Sequence, residues 1–275
     1  MMRAWHLGRL AGIDVRIHWT FLLVPLWVYF SSLAAGSGIA SAALSVLFVL
    51  TIFACVLCHE YGHALMARYF GIPTRDITLL PIGGVASLQR MPRRPGQELA
   101  IALAGPAVNV GIAAVIFAGI VFLNPASGAV ALFATQLAIV NVALVVFNML
   151  PAFPMDGGRV LRSLLAMWMP YASATRIAAT IGQITAMGFG LLGLITGNWI
   201  LVLVAGFIFL AARGEAMMAS KAAPSHELPF EQDSSSEVKA RLMNHRGSYV
   251  PPRRSQPIVI MPIRFYNRNR SQHSA

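Results

Sequence analysis

Two histidines four positions apart, with a glutamate directly after the first, form the most chemically loaded stretch of this chain: His59-Glu60-Tyr61-Gly62-His63. On a helix, positions i and i+4 are neighbours on one face. Both imidazoles can then share one cation, with the Glu60 carboxylate beside it. The pattern H-E-x-x-H is how a helix presents two zinc ligands and a general base. Its setting strengthens the reading. His59 ends a run from Ile17 that contains no Asp, Glu, Lys or Arg, and ionisable residues at membrane depth are expensive and mark function.

A catalytic zinc site takes three protein ligands and keeps one position open. The candidate for the third is Asp156, in Asn148-Met149-Leu150-Pro151-Ala152-Phe153-Pro154-Met155-Asp156-Gly157-Gly158-Arg159. Pro151 and Pro154 break a helix, and Gly157 and Gly158 disfavour one. Broken backbone at membrane depth is tolerated where it lines a cavity, so Asp156 is expected to project from an irregular point in the fourth span. The competing reading makes Asp156 an N-cap that starts the next helix. The presence of H-E-x-x-H in the same apolar chain favours the ligand.

The elements that position these residues follow from composition. Hydrophobic residues make up 57% of the chain and charged residues 11%, with a mean hydropathy of +0.66. Charge-free runs extend from Ile17 to His59, Leu99 to Met155 and Ile177 to Ala212. A spanning helix needs about 20 apolar residues. The expected fold is therefore an all-α polytopic membrane protein with spans near 17–36, 40–69, 98–123, 129–150, 174–196 and 199–219. Residues 74–91, with β-formers from Thr74 to Leu80 and a Gly83-Gly84 turn, predict a short β-hairpin or re-entrant loop after the second span. An exposed strand there would hold an unwound substrate by main-chain hydrogen bonds.

Basic residues set the orientation. Arg3, Arg9 and Arg16 precede the first span. Arg68, Arg75, Arg90, Arg93 and Arg94 follow the second. Arg159, Arg162 and Arg176 separate the fourth from the fifth, and Arg213 and Lys221 close the sixth. Positive charge stays in the cytoplasm, which predicts a cell-membrane protein with both termini cytoplasmic and the two histidines toward the cytoplasmic end of the second span. The same loops and a basic tail account for the formal charge of +11, so no nucleic-acid partner is inferred. Residues 1–35 have the outline of a secretory signal, but the basic leader is long for one. Residues 1–219 are expected to form the membrane domain. Residues 220–275 are expected to be a polar, basic, disordered cytoplasmic tail, with one apolar patch over Pro257–Phe265.

Cys55-Val56-Leu57-Cys58-His59 also matches the c-type haem attachment pattern C-x-x-C-H. Its position inside a span, toward the cytoplasm, argues against haem. Small apolar packing is the ordinary role of buried cysteines.

The chain resembles the site-2 proteases, the zinc intramembrane metalloproteases. The resemblance rests on His59–His63 and on Asn148 through Arg159, supported by Pro81-Ile82-Gly83-Gly84-Val85-Ala86 and Ala104-Gly105-Pro106-Ala107-Val108-Asn109, and covers roughly residues 8–215. Within that family it is similar to the compact bacterial type without a PDZ or CBS domain. The resemblance implies one zinc per chain on His59, His63 and Asp156. It implies that Glu60 takes a proton from the attacking water and passes it to the leaving amine. It also implies that Asn148 orients substrate or the oxyanion, and that substrates are transmembrane segments of other proteins cut in regulated intramembrane proteolysis. Gly105, Pro106 and Asn109 are expected to serve close helix packing, and His18 to sit at the membrane interface. Two alternatives stand beside this reading: a non-proteolytic zinc-binding membrane protein, and a membrane c-type cytochrome. Oligomeric state is not assigned.

Overall fold

The computed structural model describes residues 4–90, 92, 94–123 and 128–222. They belong to one compact unit, Met1–Pro224. Beyond residue 222 the expected tail, with its apolar patch over Pro257–Phe265, lies outside the described residues.

The chain begins with two strands, β1 (Ala4–Leu10) and β2 (Ile13–His18), then a 3-10 turn (Trp19–Leu22) and helix α1 (Leu23–Ala34). Helix α2 (Ile39–Tyr69) leads into β3 (Thr74–Leu80) and β4 (Gly83–Leu88). Five helices follow: α3 (Pro95–Leu123), α4 (Gly128–Asn148), α5 (Asp156–Leu165), α6 (Tyr171–Thr196) and α7 (Trp199–Ala222). Helices α2, α3, α4, α6 and α7 are each long and apolar enough to cross a membrane. The fold is that of a multi-pass membrane protein, with a small sheet at one end of α2.

Three expectations need correction. The hairpin over 74–91 is present, but it is half of a larger sheet. The strands run in the order β1-β2-β3-β4, with β2 parallel to β3 and the other pairs antiparallel. The basic leader was not expected to hold strands. It forms them because Ile13 and Val15 alternate inward and bury, with Ile77, against Tyr61 and Ala64 of α2. A tight turn closes the β1–β2 hairpin with positive φ at Ala11 and Gly12, the conformation a two-residue hairpin loop requires. The Tyr61 hydroxyl donates to Leu10 O at 3.1 Å, and Arg68 Nη1 donates to Ala11 O at 2.8 Å. The sheet is thereby tied to the helix that carries the H-E-x-x-H motif.

The second correction follows from the first. The sheet takes Ile17 and His18, so the apolar helix expected over 17–36 shortens to Trp19–Ala34. One 3-10 turn and twelve α-helical residues span about 26 Å, just under a hydrocarbon core of about 30 Å. His18 accordingly does local work: its Nδ1 lies 2.6 Å from Thr20 Oγ1 and accepts from Thr20 N at 3.4 Å, capping that turn.

The third concerns Asp156. It does not project from the fourth span. α4 ends at Asn148, and Asp156 is the first residue of the separate helix α5. The intervening turn packs tightly because Gly157 and Gly158 have no β-carbons. An atom there would collide with the carbonyl of Leu150 and with the Ala152–Phe153 peptide. Gly182 of α6 faces the same turn, where a Cβ would meet Ala152 Cα at 3.1 Å. Small residues at one-turn spacing on α6, Ala174, Ala178, Gly182 and Ala186, are buried on this side, the usual device for close helix approach in membranes.

Candidate metal centre

The site is assembled from three helices. α2 presents His59 and His63 on one face. α5 presents Asp156. α3 crosses α2 closely at Gly62, where a Cβ would lie 2.7 Å from Ala104 O. The ligand atoms converge: His59 Nε2 and His63 Nε2 are 3.0 Å apart, and each is 3.1 Å from Asp156 Oδ2. His59, His63 and Asp156 are all buried.

The outer nitrogens decide what this convergence means. His63 Nδ1 is 2.7 Å from Ile101 O. A carbonyl only accepts, so Nδ1 carries the proton and donates. His59 Nδ1 lies 3.2 Å from Asn109 Oδ1 and, with the amide oxygen facing it, also donates. In their neutral form both rings then present an Nε2 lone pair to each other and to a carboxylate oxygen. Three such atoms in one buried place can hold a metal ion. Zinc bonds of about 2.0–2.1 Å in a tetrahedron would set ligand atoms about 3.4 Å apart, close to the spacing found. Two imidazoles and one carboxylate are also the donor set of a catalytic zinc site with an open position. The residues fit zinc.

Gly105 of α3 provides the space. A Cβ there would overlap His63 Nε2 and lie 2.7 Å from His59 Nε2, in the volume the cation needs. Glu60 lies beside the trio on the next position of α2. β4 reaches it: a Cβ on Gly84 would stand 3.3 Å from Glu60 Cδ. β4 is one of the two edge strands of the sheet, and at Gly84 its face lies against the candidate base.

Of the residues singled out in the sequence, His59, His63 and Asp156 are brought together, with Glu60 adjacent. Asn148 is the last residue of α4, half-buried, and forms no side-chain hydrogen bond among the described residues. Asn109 is the reverse case. Packing was its expected role, yet it is 0% exposed and holds the tautomer of His59. The usable signal was an amide in an otherwise apolar span, one turn beyond Gly105. Replacing Asn109 with Ala is expected to weaken zinc binding about 10–100-fold, the usual effect of removing a group that orients a ligand. Competition with a chelator of known affinity measures it. The haem alternative is not favoured. Cys55 is 6% exposed and faces Asn141, whose Nδ2 lies 3.5 Å from its sulfur, and His59 is engaged at both nitrogens.

Known proteins share this arrangement of sequence and fold. The model of peptidase family M50 matches residues 47–136 and 124–189. A zinc metalloprotease of Methanocaldococcus jannaschii is 38% identical over 214 residues, covering 76% of this chain and 60% of that protein. The putative zinc metalloprotease Rip3 of Mycobacterium tuberculosis is 35% identical over 236 residues, covering 78% of this chain and 59% of that one. The chain thus spans about three-fifths of the length of these curated relatives. The solved structure of the site-2 protease from M. jannaschii superposes with a TM-score of 0.57 at 35% identity, covering 78% of this chain and 95% of that one. With a metal centre drawn from the matched segments, a membrane-type helical fold and these relatives, the chain belongs to peptidase family M50.

Proposed function

We propose that this protein is an intramembrane zinc endopeptidase that hydrolyses peptide bonds in or near the transmembrane segment of other membrane proteins. One observation carries the reading: three buried acceptors converge at the end of an apolar, bilayer-length helix, with a carboxylate beside them and an edge strand alongside. His59, His63 and Asp156 would hold one zinc per chain. Zinc so held lowers the pKa of water to about 7 and polarises a carbonyl. Glu60 takes the proton of the attacking water and delivers it to the leaving nitrogen, general base and then general acid. Asn109 and Ile101 keep both imidazoles in the metal-binding tautomer. Asn148, eight residues before Asp156, orients substrate or the oxyanion.

A transmembrane helix hides its peptide bonds in its own hydrogen bonds and must be extended before it can be cut. The free edge of β4 offers the main-chain partner. Its Gly84 backbone lies against Glu60, which supports placing an added strand near the base. Proline at Val85 and at Ala86 removes, in turn, the N–H of one and then the other side of β4. The variant that loses the outward N–H is expected to cleave more slowly while binding zinc normally. Equal cleavage by both variants and wild type would refute the strand-addition step.

The charge pattern supports six spans with both termini cytoplasmic in the cell membrane, the short helix Trp19–Ala34 being the first. Locally thinned bilayer would accommodate it. The function is tested by trapping. Tagged Glu60→Gln and wild-type protein are purified from native membranes, zinc is measured, and co-purifying proteins are identified by mass spectrometry. Zinc near one per chain, with a single-span protein enriched only on the variant, is the expected result. Zinc absent from both preparations would overturn the metal site.

A further inference from the structure

α5 has to hold Asp156 against two imidazoles that belong to another helix. Its own helical stability is poor: it has ten residues, and two of the first three are glycines. Something else fixes it. Arg162, on the same helix, is 4% exposed, and its side-chain hydrogen bonds go to α3 and α7. Its Nε donates to Glu98 Oε1 of α3 at 2.9 Å, and its Nη2 donates to the same oxygen. Its Nη1 donates to Glu215 Oε2 of α7 at 3.2 Å. The guanidinium carbon stands 4.9 Å from the Phe153 ring centre and 5.1 Å from that of Tyr171. Glu98 is 2% exposed, whereas the Glu215 side chain is 37% exposed.

The zinc chemistry uses none of these groups, and stability alone does not account for them. A buried ion pair is often no more stabilising than apolar residues of the same volume. What the pair adds is direction. α3 carries Ile101 and Asn109, which orient the two histidines, and Glu98 sits on that same helix. One fork of hydrogen bonds thus sets the aspartate helix in register with the helix that orients the histidines. We propose that Arg162 and Glu98 are positioning residues that hold Asp156 on the zinc, with Glu215 a dispensable outer arm. The proposal rests on Asp156 being the third ligand. Lysine cannot replace Arg162, because a point charge neither forks nor stacks between two rings.

The test uses the full chain in detergent, loaded with zinc. It measures the rate of zinc release to a colorimetric chelator and, in parallel, the melting temperature. E98Q, R162K and the apolar pair E98M/R162M are expected to release zinc at least about tenfold faster than wild type, at temperatures where they remain folded. E215Q is expected to release it at the wild-type rate. A bridge that only stabilises the fold would lower the melting temperature and leave release below it unchanged. Should E98Q fail to fold, the apolar pair carries the test, since it leaves no buried charge unpaired. Wild-type release from folded E98M/R162M, with zinc lost from D156A, would overturn the positioning role and leave the ligand assignment standing. Wild-type release from D156A would instead overturn the ligand assignment.

Discussion

Glu60→Gln protein is expected to lose cleavage by about 10²–10⁴-fold, the contribution of a positioned general base, and to keep its zinc. The substitution is isosteric and touches no ligand: His59, His63 and Asp156 retain their partners, and Ile101 and Asn109 still set the tautomers. Gln cannot accept a proton from water at neutral pH. Loss of turnover with unchanged metal content therefore separates the proton-transfer role from the metal site. The measurement is single-turnover cleavage of a membrane-embedded reporter together with zinc content of the same preparation. Full cleavage by the variant would remove the protease mechanism and favour a non-proteolytic zinc-binding protein.

Gly105→Ala adds one methyl group and is expected to abolish both zinc binding and cleavage. The added carbon has no free direction, because it projects onto the two Nε2 atoms that face the cation. Neither imidazole can retreat. His63 is tied through Nδ1 to Ile101 and His59 through Nδ1 to Asn109, both on the helix that carries the new methyl. Gly111, six residues further along α3, provides the control: a Cβ there meets nothing within 4 Å. Gly111→Ala is expected to bind zinc and cleave as wild type, with slightly greater helix stability, since Ala is favoured over Gly in a helix by about 1 kcal/mol. Zinc content of the two purified variants decides the matter. Equal zinc in both would show that the Gly105 cradle is not the metal site.

The contrast between these two glycines illustrates what could be read in advance. Charge-free apolar runs revealed the membrane helices, because a bilayer imposes one strong local rule on every spanning residue. The same rule made His59, Glu60, His63 and Asp156 conspicuous, since polar groups in such runs are rare. The N-terminal strands were not legible. β2, on which β1 folds back, pairs with β3 some sixty positions away, and strand formation depends on the partner more than on local preference. The shortened first helix follows from the same pairing, which draws Ile17 and His18 into the sheet.

Asn109 and Arg162 mark the other boundary. Both are visible as residue types, which suggest helix packing for the one and an orientation-setting charge for the other. What they do depends on which neighbours they meet. Asn109 faces an imidazole fifty residues away, and Arg162 faces carboxylates sixty-four and fifty-three residues away. The residue types and their short-range spacing were enough to nominate His59, His63 and Glu60 together, because i and i+4 on a helix are neighbours in any fold. The tautomers of the histidines, the space for the cation and the hold on Asp156 arise where α2, α3 and α5 cross. Those contacts join distant parts of the chain, and a local pattern carries no distance between them.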